Sequence, residues 1–283
     1  MQQKNVHWFP GHMQKAIREI ENRIKIIDVI IELLDARAPL SSRNEVLYKI
    51  TENKKRLLVL TKSDLADDKI TKKWVDFFVS QGNLVMCIDV NSKKIIEKLK
   101  NNVELLGKEK RDKEISKGMK PQPIRAMIVG IPNVGKSTLI NRISKRNAAS
   151  VQNTPGHTKS QQWIKVGNDF DLLDTPGILP PNYENKENAI RLAILGSIKD
   201  TILPLDELGD YLLTYLKTNY LQFLKKRYEI DIEYSENNYD ILSKIALKRG
   251  FKQSGNLDIS KANMVLLKEF KDGIIGKITL ERS

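Results

Sequence analysis

The chain has 283 residues, with 48 Lys and Arg against 35 Asp and Glu, and a formal charge of +13. That length suits two domains better than one small one, and the basic surplus favours a polyanionic partner without saying which. The single cysteine, Cys87, excludes a disulfide within the chain and a cysteine-based zinc site, and His7, His12 and His157 lack metal-ligand spacing.

In chain order, residues 13–25 place Ala16, Ile17, Ile20 and Ile24 on one helical face. The run 26–34 is almost wholly apolar and predicts a strand covered on both faces. Short runs of branched residues at 56–60 and 84–88 predict two more strands, with a helix over 69–81 between them. Such alternation argues an α/β domain with a largely parallel sheet. Residues 91–125 carry eleven Lys/Arg against five Asp/Glu and end at Pro121 and Pro123; they predict a helix over 95–106 and then a solvated basic linker. Strands resume at 124–129, 163–166 and 170–173. Beyond Pro181, spaced apolar faces at 189–198, 208–216, 239–248 and 262–270 predict helices. The expected organisation is an α/β domain over 1–181, including the N-terminal helix and the basic linker, and an all-α domain over 182–283. The charge surplus sits mostly in the first part, because 181–283 holds sixteen basic and fifteen acidic residues. No segment reads as a signal peptide or as the ~20 apolar residues needed to span a bilayer. The expectation is a cytoplasmic chain with no membrane partner.

The strongest chemical signal is Gly130-Ile131-Pro132-Asn133-Val134-Gly135-Lys136-Ser137, between the strand 124–129 and a helix predicted over 138–143. This is the context of a phosphate-cradling loop. Its amides, from Asn133, Val134 and Gly135 to Thr138, would turn inward on the phosphates, aided by the positive end of the helix dipole. Lys136 would reach the β- and γ-phosphates, and the Ser137 hydroxyl would ligate Mg²⁺. The strand 170–173 ends in Asp174-Thr175-Pro176-Gly177. Asp174 there can hold Mg²⁺ through water, and the Gly177 amide can sense the γ-phosphate. Between these motifs, Asn153-Thr154-Pro155-Gly156-His157-Thr158 reads as a polar loop. Thr158, after the Pro-Gly turn and near the strand 163–166, is chosen over Thr154 as the second hydroxyl ligand of Mg²⁺. A loop held by the γ-phosphate relaxes on hydrolysis, which makes a two-state switch.

Base choice needs Lys-x-Asp directly after a strand. The carboxylate accepts from the ring N1–H and amine of guanine, a donor pair that adenine lacks. After Gly177, Lys199-Asp200 and Lys271-Asp272 have neither the spacing nor a preceding strand. The candidate lies upstream, as Thr61-Lys62-Ser63-Asp64 after the strand 56–60. Asp64 would read the base and the stem of Lys62 would pack along it. Thr61 stands where Asn is usual, and its hydroxyl can tie this loop to the phosphate loop. The base strand thus precedes the phosphate strand. A parallel sheet tolerates this if a linker joins the usual termini and the chain is cut elsewhere.

The order Thr61–Asp64, Gly130–Ser137, Thr158, Asp174–Gly177 resembles the circularly permuted GTPases. Trp8-Phe9-Pro10-Gly11-His12-Met13, Asp35-Ala36-Arg37-Ala38-Pro39, Pro155-Gly156-His157-Thr158 and the ending Phe270–Glu281 are similar to a bacterial branch of them that acts on the ribosome, and the likeness covers essentially the whole chain. The resemblance implies a circularly permuted P-loop GTPase domain followed by an all-α, RNA-binding domain. It implies a GTP hydrolase that acts late in maturation of the large (50S) subunit, binds the immature particle and its ribosomal RNA, is stimulated by it, and leaves on hydrolysis to GDP. No DNA partner is expected. It further implies that His12 approaches the site once the particle is bound, and that Asn133 ligates a stimulating K⁺. From the residues alone, His12 reads equally as a helix-capping or surface histidine, and Trp8 and Phe9 as base-stacking or packing groups. Ile178 occupies the position where many GTPases carry a water-orienting Gln, and the chain resembles the class with a hydrophobic residue there. Two departures from the family stand out. Its guanine-loop Asn is Thr61 here. Asp89 and Val90 fall by position in the second guanine-contact loop, yet 89–92 lacks its common pattern. The rival reading is an RNA-binding module whose nucleotide is structural.

Overall fold

The computed structural model describes residues 11–89, 92, 94–146, 162–180, 185–198 and 203–283, apart from the side chains of His12, Lys145 and Arg146. Two compact units result. One takes the chain up to Tyr183 together with Glu281–Ser283, the other Glu184–Leu280.

The first unit opens with α1 (Gly11–Arg23) and a 3₁₀ turn over Ile24–Ile26. The apolar run expected to be extended from residue 26 becomes a strand only at Val29, because Ile27 N–H still donates to Ile24 O at 3.2 Å. β1 (Val29–Asp35) is buried along its whole length, as a central strand should be. There follow α2 (Glu45–Ile50), β2 (Lys55–Thr61), α3 (Asp68–Ser80), β3 (Leu84–Cys87), α4 (Ile95–Ser116), β4 (Ile124–Val129), α5 (Lys136–Arg146), β5 (Gln162–Val166) and β6 (Phe170–Asp174). The sheet runs β3-β2-β1-β4-β6-β5, and only β5 is antiparallel. Chain order departs one way from β1, through β2 to β3, and the other way from β4, to β6 and then an edge β5 that precedes β6 in sequence, so β1 and β4 flank the reversal. The crevice at their carboxyl ends is therefore the switch point where open α/β sheets take ligands.

α3 shows how local sequence builds a layer. The Asp67 carboxylate caps it by accepting from Lys69 N at 2.9 Å and Ile70 N at 3.1 Å. Ile70, Trp74 and Phe78 then repeat every four residues and bury against Leu34, Leu58 and Leu60 of the sheet. α4 differs from expectation. It does not stop at 106 but runs to Ser116, so part of the supposed linker is helix. Gly107 is the reason. A Cβ there would lie 2.2 Å from Ile124 Cδ1, so its bare backbone lets the helix cross close to β4. Beyond it, Lys110 pairs with Asp28 at 2.8 Å and Arg111 donates to Asp169 O at 2.9 Å. Charges that read as a solvated run therefore fasten the helix to the base of the sheet.

The second unit packs α6 (Lys186–Ile194), α7 (Leu205–Asn219), α8 (Leu221–Tyr228), α9 (Asn238–Arg249) and α10 (Ile259–Lys271). Leu208, Leu212, Leu213 and Leu216 form the buried stripe of α7. Gly209 sits where a Cβ would overlap the Asn263 side chain, which brings α7 and α10 together. The expected all-helical unit also holds a small hairpin, β7 (Lys252–Gln253) with β8 (Asn256–Leu257), turned by Ser254 and Gly255 at positive φ. Tyr211, Tyr215 and Tyr220 form a ladder of rings with successive centroids 6.5 and 6.3 Å apart, and Tyr220 is buried. Among the described residues no helix is long and apolar enough to cross a membrane.

The last three residues, read with the helical part, belong to the first unit for an identifiable reason. The buried Glu281 carboxylate accepts from Leu40 N at 2.7 Å, Ser41 N at 2.8 Å and the Ser41 hydroxyl, while Trp74 Nε1 donates to Glu281 O at 3.2 Å. Glu281→Ala strands these donors in a dry setting. It is expected to destabilise the first unit by about 3 kcal/mol. Scanning calorimetry checks this, and an unmoved melting transition would show that the carboxylate carries no such load.

Candidate nucleotide-binding site

The carboxyl ends of β1, β2, β4 and β6 meet at one edge of the sheet, and each carries a motif. β1 ends at Asp35, β2 at Thr61, β4 leads into Gly130 and β6 ends at Asp174. Gln162 of β5 lies opposite Asp174, so β5 begins at the same edge. The motifs that are scattered in sequence are thus neighbours in space.

Two of these loops are bonded directly. The Thr61 hydroxyl lies 2.6 Å from Val134 O and 3.0 Å from Leu34 O, so its shorter contact is to the phosphate-type loop. Lys62 Nζ donates to Asn133 O at 2.8 Å and pairs with Asp35 Oδ2 at 2.9 Å. Ser63 N–H donates to Ile88 O at 3.2 Å, which ties the loop after β2 to the end of β3. Asp64 is half-buried, and its Oδ1 has no hydrogen-bond partner among the described residues. A dry carboxylate oxygen carries a desolvation cost until a donor arrives, which suits a group built to accept from a ligand.

The loop between β4 and α5 has the shape its sequence demands. Asn133 and Gly135 take positive φ, 58° and 105°. A Cβ on Gly177 would lie 2.8 Å from Pro132 N, so the turn after β6 presses backbone to backbone on this loop. Ile178 N–H donates to Gly130 O at 3.2 Å, and Thr175 Oγ1 to Ile128 O at 2.6 Å. Ile178 itself is fully buried, and its carbonyl accepts from Asn44 Nδ2 at 2.8 Å. It is a packing residue and brings no polar side chain to the site.

Asn133, Ser137 and Thr138 face solvent at the mouth, with Gly135 and Lys136 partly covered. Burial pushes the Lys136 ammonium below its ordinary pKa, while the nearby Asp174 carboxylate pulls the other way. Ser137 offers a hydroxyl at the start of α5, and Asp174 a carboxylate at the end of β6. Hard oxygen donors of this kind, with one carboxylate, fit Mg²⁺ better than a softer metal.

A cleft between these loops is walled by Ile88, Ile95 and Leu139, with Lys62, Thr138 and Arg142 supplying polar atoms. Apolar walls with a few polar groups are the usual lining of a small-molecule site. Arg142 was not singled out from sequence. On α5 it lines this cleft, and its Nη1 donates to Ser92 O at 2.9 Å. The only sequence signal was its place on the helix that follows the phosphate-type loop. Asp89 is half-buried, and its carbonyl accepts from Ser92 N at 3.0 Å. Val90, Thr154 and Thr158, like Trp8 and Phe9, lie outside the described residues. His12 lies in the first turn of α1, with its side chain outside them.

Asp35 and Arg37 are the other pair that the sequence left without a role. Arg37 Nε and Nη2 grip the two Asp35 oxygens at 3.0 Å each, and both residues are buried. Burial alone would raise the Asp35 carboxyl, but the charges of Arg37 and Lys62 outweigh it and hold it well below the usual carboxylate range. A depressed folded-state pKa adds stability that is present above the ordinary aspartate pKa and is lost as pH falls below it. The cluster is therefore intact at neutral pH.

Residues 125–234 match the family described as 50S ribosome-binding GTPase. The chain is 44% identical to ribosome biogenesis GTPase A of Bacillus cereus over 98% of its own length and 93% of that protein. Two solved structures resemble it: GDP-bound TM YlqF, with a TM-score of 0.65 and 27% identity over 94% of this chain and 99% of that one, and GNP-bound YlqF from T. maritima, with 0.62 and 28% over 95% and 98%.

Proposed function

We propose a function from one premise: the chain belongs to the ribosome biogenesis GTPase A family and is a GTPase with a circularly permuted domain. Its role, in this reading, is late maturation of the large ribosomal subunit. It binds the immature 50S particle and its ribosomal RNA in the GTP state, works in the cytoplasm, and leaves after hydrolysis. The helical unit, Glu184–Leu280, contributes RNA contacts. The basic surplus, concentrated in the first 180 residues, adds counterion release to that binding.

The observation that supports the site assignment most is the double tie of Thr61 and Lys62 to the carbonyls of Val134 and Asn133. It brings the group that reads a base within reach of the group that grips phosphates. Asp64 accepts from the guanine edge, with the stem of Lys62 along the ring and Asp89 and Val90, by position, in the second guanine-contact loop. The amides of Asn133 to Thr138 and the Lys136 ammonium hold the phosphates, and the Gly177 amide senses the γ-phosphate. Mg²⁺, held by Ser137, Thr158 and Asp174, neutralises phosphate charge when bound. Phosphoryl transfer asks chiefly for positioning and charge neutralisation, which these groups supply. With Ile178 buried, orientation of the attacking water falls to another group. We assign it to His12, brought to the site by the particle, and assign to Asn133 a K⁺ that offsets developing charge.

Co-sedimentation with purified large-subunit precursors tests the reading. Pelleting is expected with a nonhydrolysable GTP analogue and not with GDP, and turnover is expected to rise with the particle and with K⁺ over Na⁺. Equal pelleting in both nucleotide states would remove the switch, and equal stimulation of His12→Ala would remove His12.

A further inference from the structure

On the nucleotide reading above, the base loop and the phosphate loop must be held together, and the end of β1 stands where that can be done. β1 pairs with both β2 and β4, so its last residue, Asp35, stands between the loop that reads the base and the loop that grips phosphate. Asp35 Oδ1 accepts from Arg37 N at 3.1 Å and Arg37 Nε at 3.0 Å; Oδ2 accepts from Arg37 Nη2 at 3.0 Å and Lys62 Nζ at 2.9 Å. Arg37 thus orients the carboxylate as a fixed fork. Lys62 alone reaches in from a partly exposed position, 21% against 1% for Asp35. Its ammonium goes on to Asn133 O at 2.8 Å. Both ends of that bond are non-glycine residues at positive φ, Lys62 at 54° and Asn133 at 58°, a conformation that persists only where the surroundings hold it.

We propose that Asp35 is a positioning residue for the nucleotide: it pins the Lys62 ammonium to the Asn133 carbonyl and so joins the base loop to the phosphate loop. Without the carboxylate, a lysine on a four-carbon stem disperses among solvated rotamers, and the two loops meet only when the ligand arrives. The ordering cost then falls on binding. The signature is a faster loss of bound nucleotide.

The test uses the full chain and a fluorescent GDP analogue. Asp35→Asn is expected to raise the dissociation rate about 10- to 50-fold. In a Lys62→Met background, where the pinned group is already gone, the same change is expected to add less than about 2-fold, the non-additivity of residues acting through one contact. A purely structural Asp35 would multiply its effect in both backgrounds, and that result overturns the proposal. So does a folded Asp35→Asn protein with an unchanged rate. Circular dichroism reports folding, and Asp35→Glu, which keeps the charge, is expected to recover part of the slow dissociation. A readout without any variant guards against misfolding. In nucleotide-free wild type the ¹⁵Nζ signal of Lys62 is expected to persist with slow proton exchange, and a solvent-averaged signal overturns the proposal. Failure of wild type to retain GDP would instead sink the nucleotide reading, so the two failures are distinguishable.

Discussion

Replacing Lys136 by alanine is expected to cut GTP turnover at saturating Mg²⁺ by about 10²–10³-fold, the cost of deleting one preorganised charge donor. The ammonium is placed where burial has stripped much of its water and the Asp174 carboxylate offsets part of the loss. A charge held in a drier site acts on phosphate more strongly than one in bulk water. Its position is over-determined. α5 begins at Lys136, the loop before it is bonded to Thr61 and Lys62, and Gly177 presses on it from the far side. Lys136→Arg is expected to recover little, because a planar fork does not replace a compact point charge. Phosphate release under multiple-turnover conditions measures the effect. A loss of under tenfold for the alanine variant would place the charge stabilisation elsewhere.

Asp64→Asn is expected to change which base is held. The carboxylate can accept from both donors of guanine, whereas an amide offers one acceptor and one donor. That pair matches xanthine, which has an oxygen where guanine has its amine. The unpaired Asp64 Oδ1 is the structural ground for this expectation. Leaving buried polar groups mismatched costs about 1–3 kcal/mol each, so GTP affinity is expected to fall by about 10²-fold or more while xanthosine triphosphate gains. Titration calorimetry with the two nucleotides checks it. An unchanged preference removes Asp64 from base recognition.

These two variants probe the opposite ends of one ligand. Between them stands the tie through Thr61, which takes the place of the more usual Asn. A hydroxyl has one proton, and its shorter contact here is to Val134 O. The adjoining tie is made by Lys62 under the hold of Asp35. The departure at Thr61 therefore leaves the two loops joined, with the second bond carried by a charged pair. The atypical loop after β3 has a comparable support, since Arg142 reaches across from α5 to Ser92 O.

Local sequence determined much of this protein. Strand-forming runs of branched residues, the glycine-rich turn between β4 and α5, and the Lys-x-Asp and Asp-x-x-Gly spacings are properties of short segments. Backbone sterics and hydrogen-bonding demand act over a few residues, so such segments announce themselves without their neighbours. The order of the motifs also foretold a permuted parallel sheet, because each motif belongs at the carboxyl end of its own strand. Tertiary packing decided the rest. The basic run after β3 became a long helix because Gly107 meets Ile124 and Lys110 meets Asp28, contacts to strands distant in sequence. Asp35 and Arg37 had no assigned role until Lys62 came beside them, and Glu281 gained its place only when Leu40, Ser41 and Trp74 surrounded it. A charge's role depends on which opposite charge or dry donor lies within a few ångströms, and that distance is set by the fold and not by the spacing along the chain.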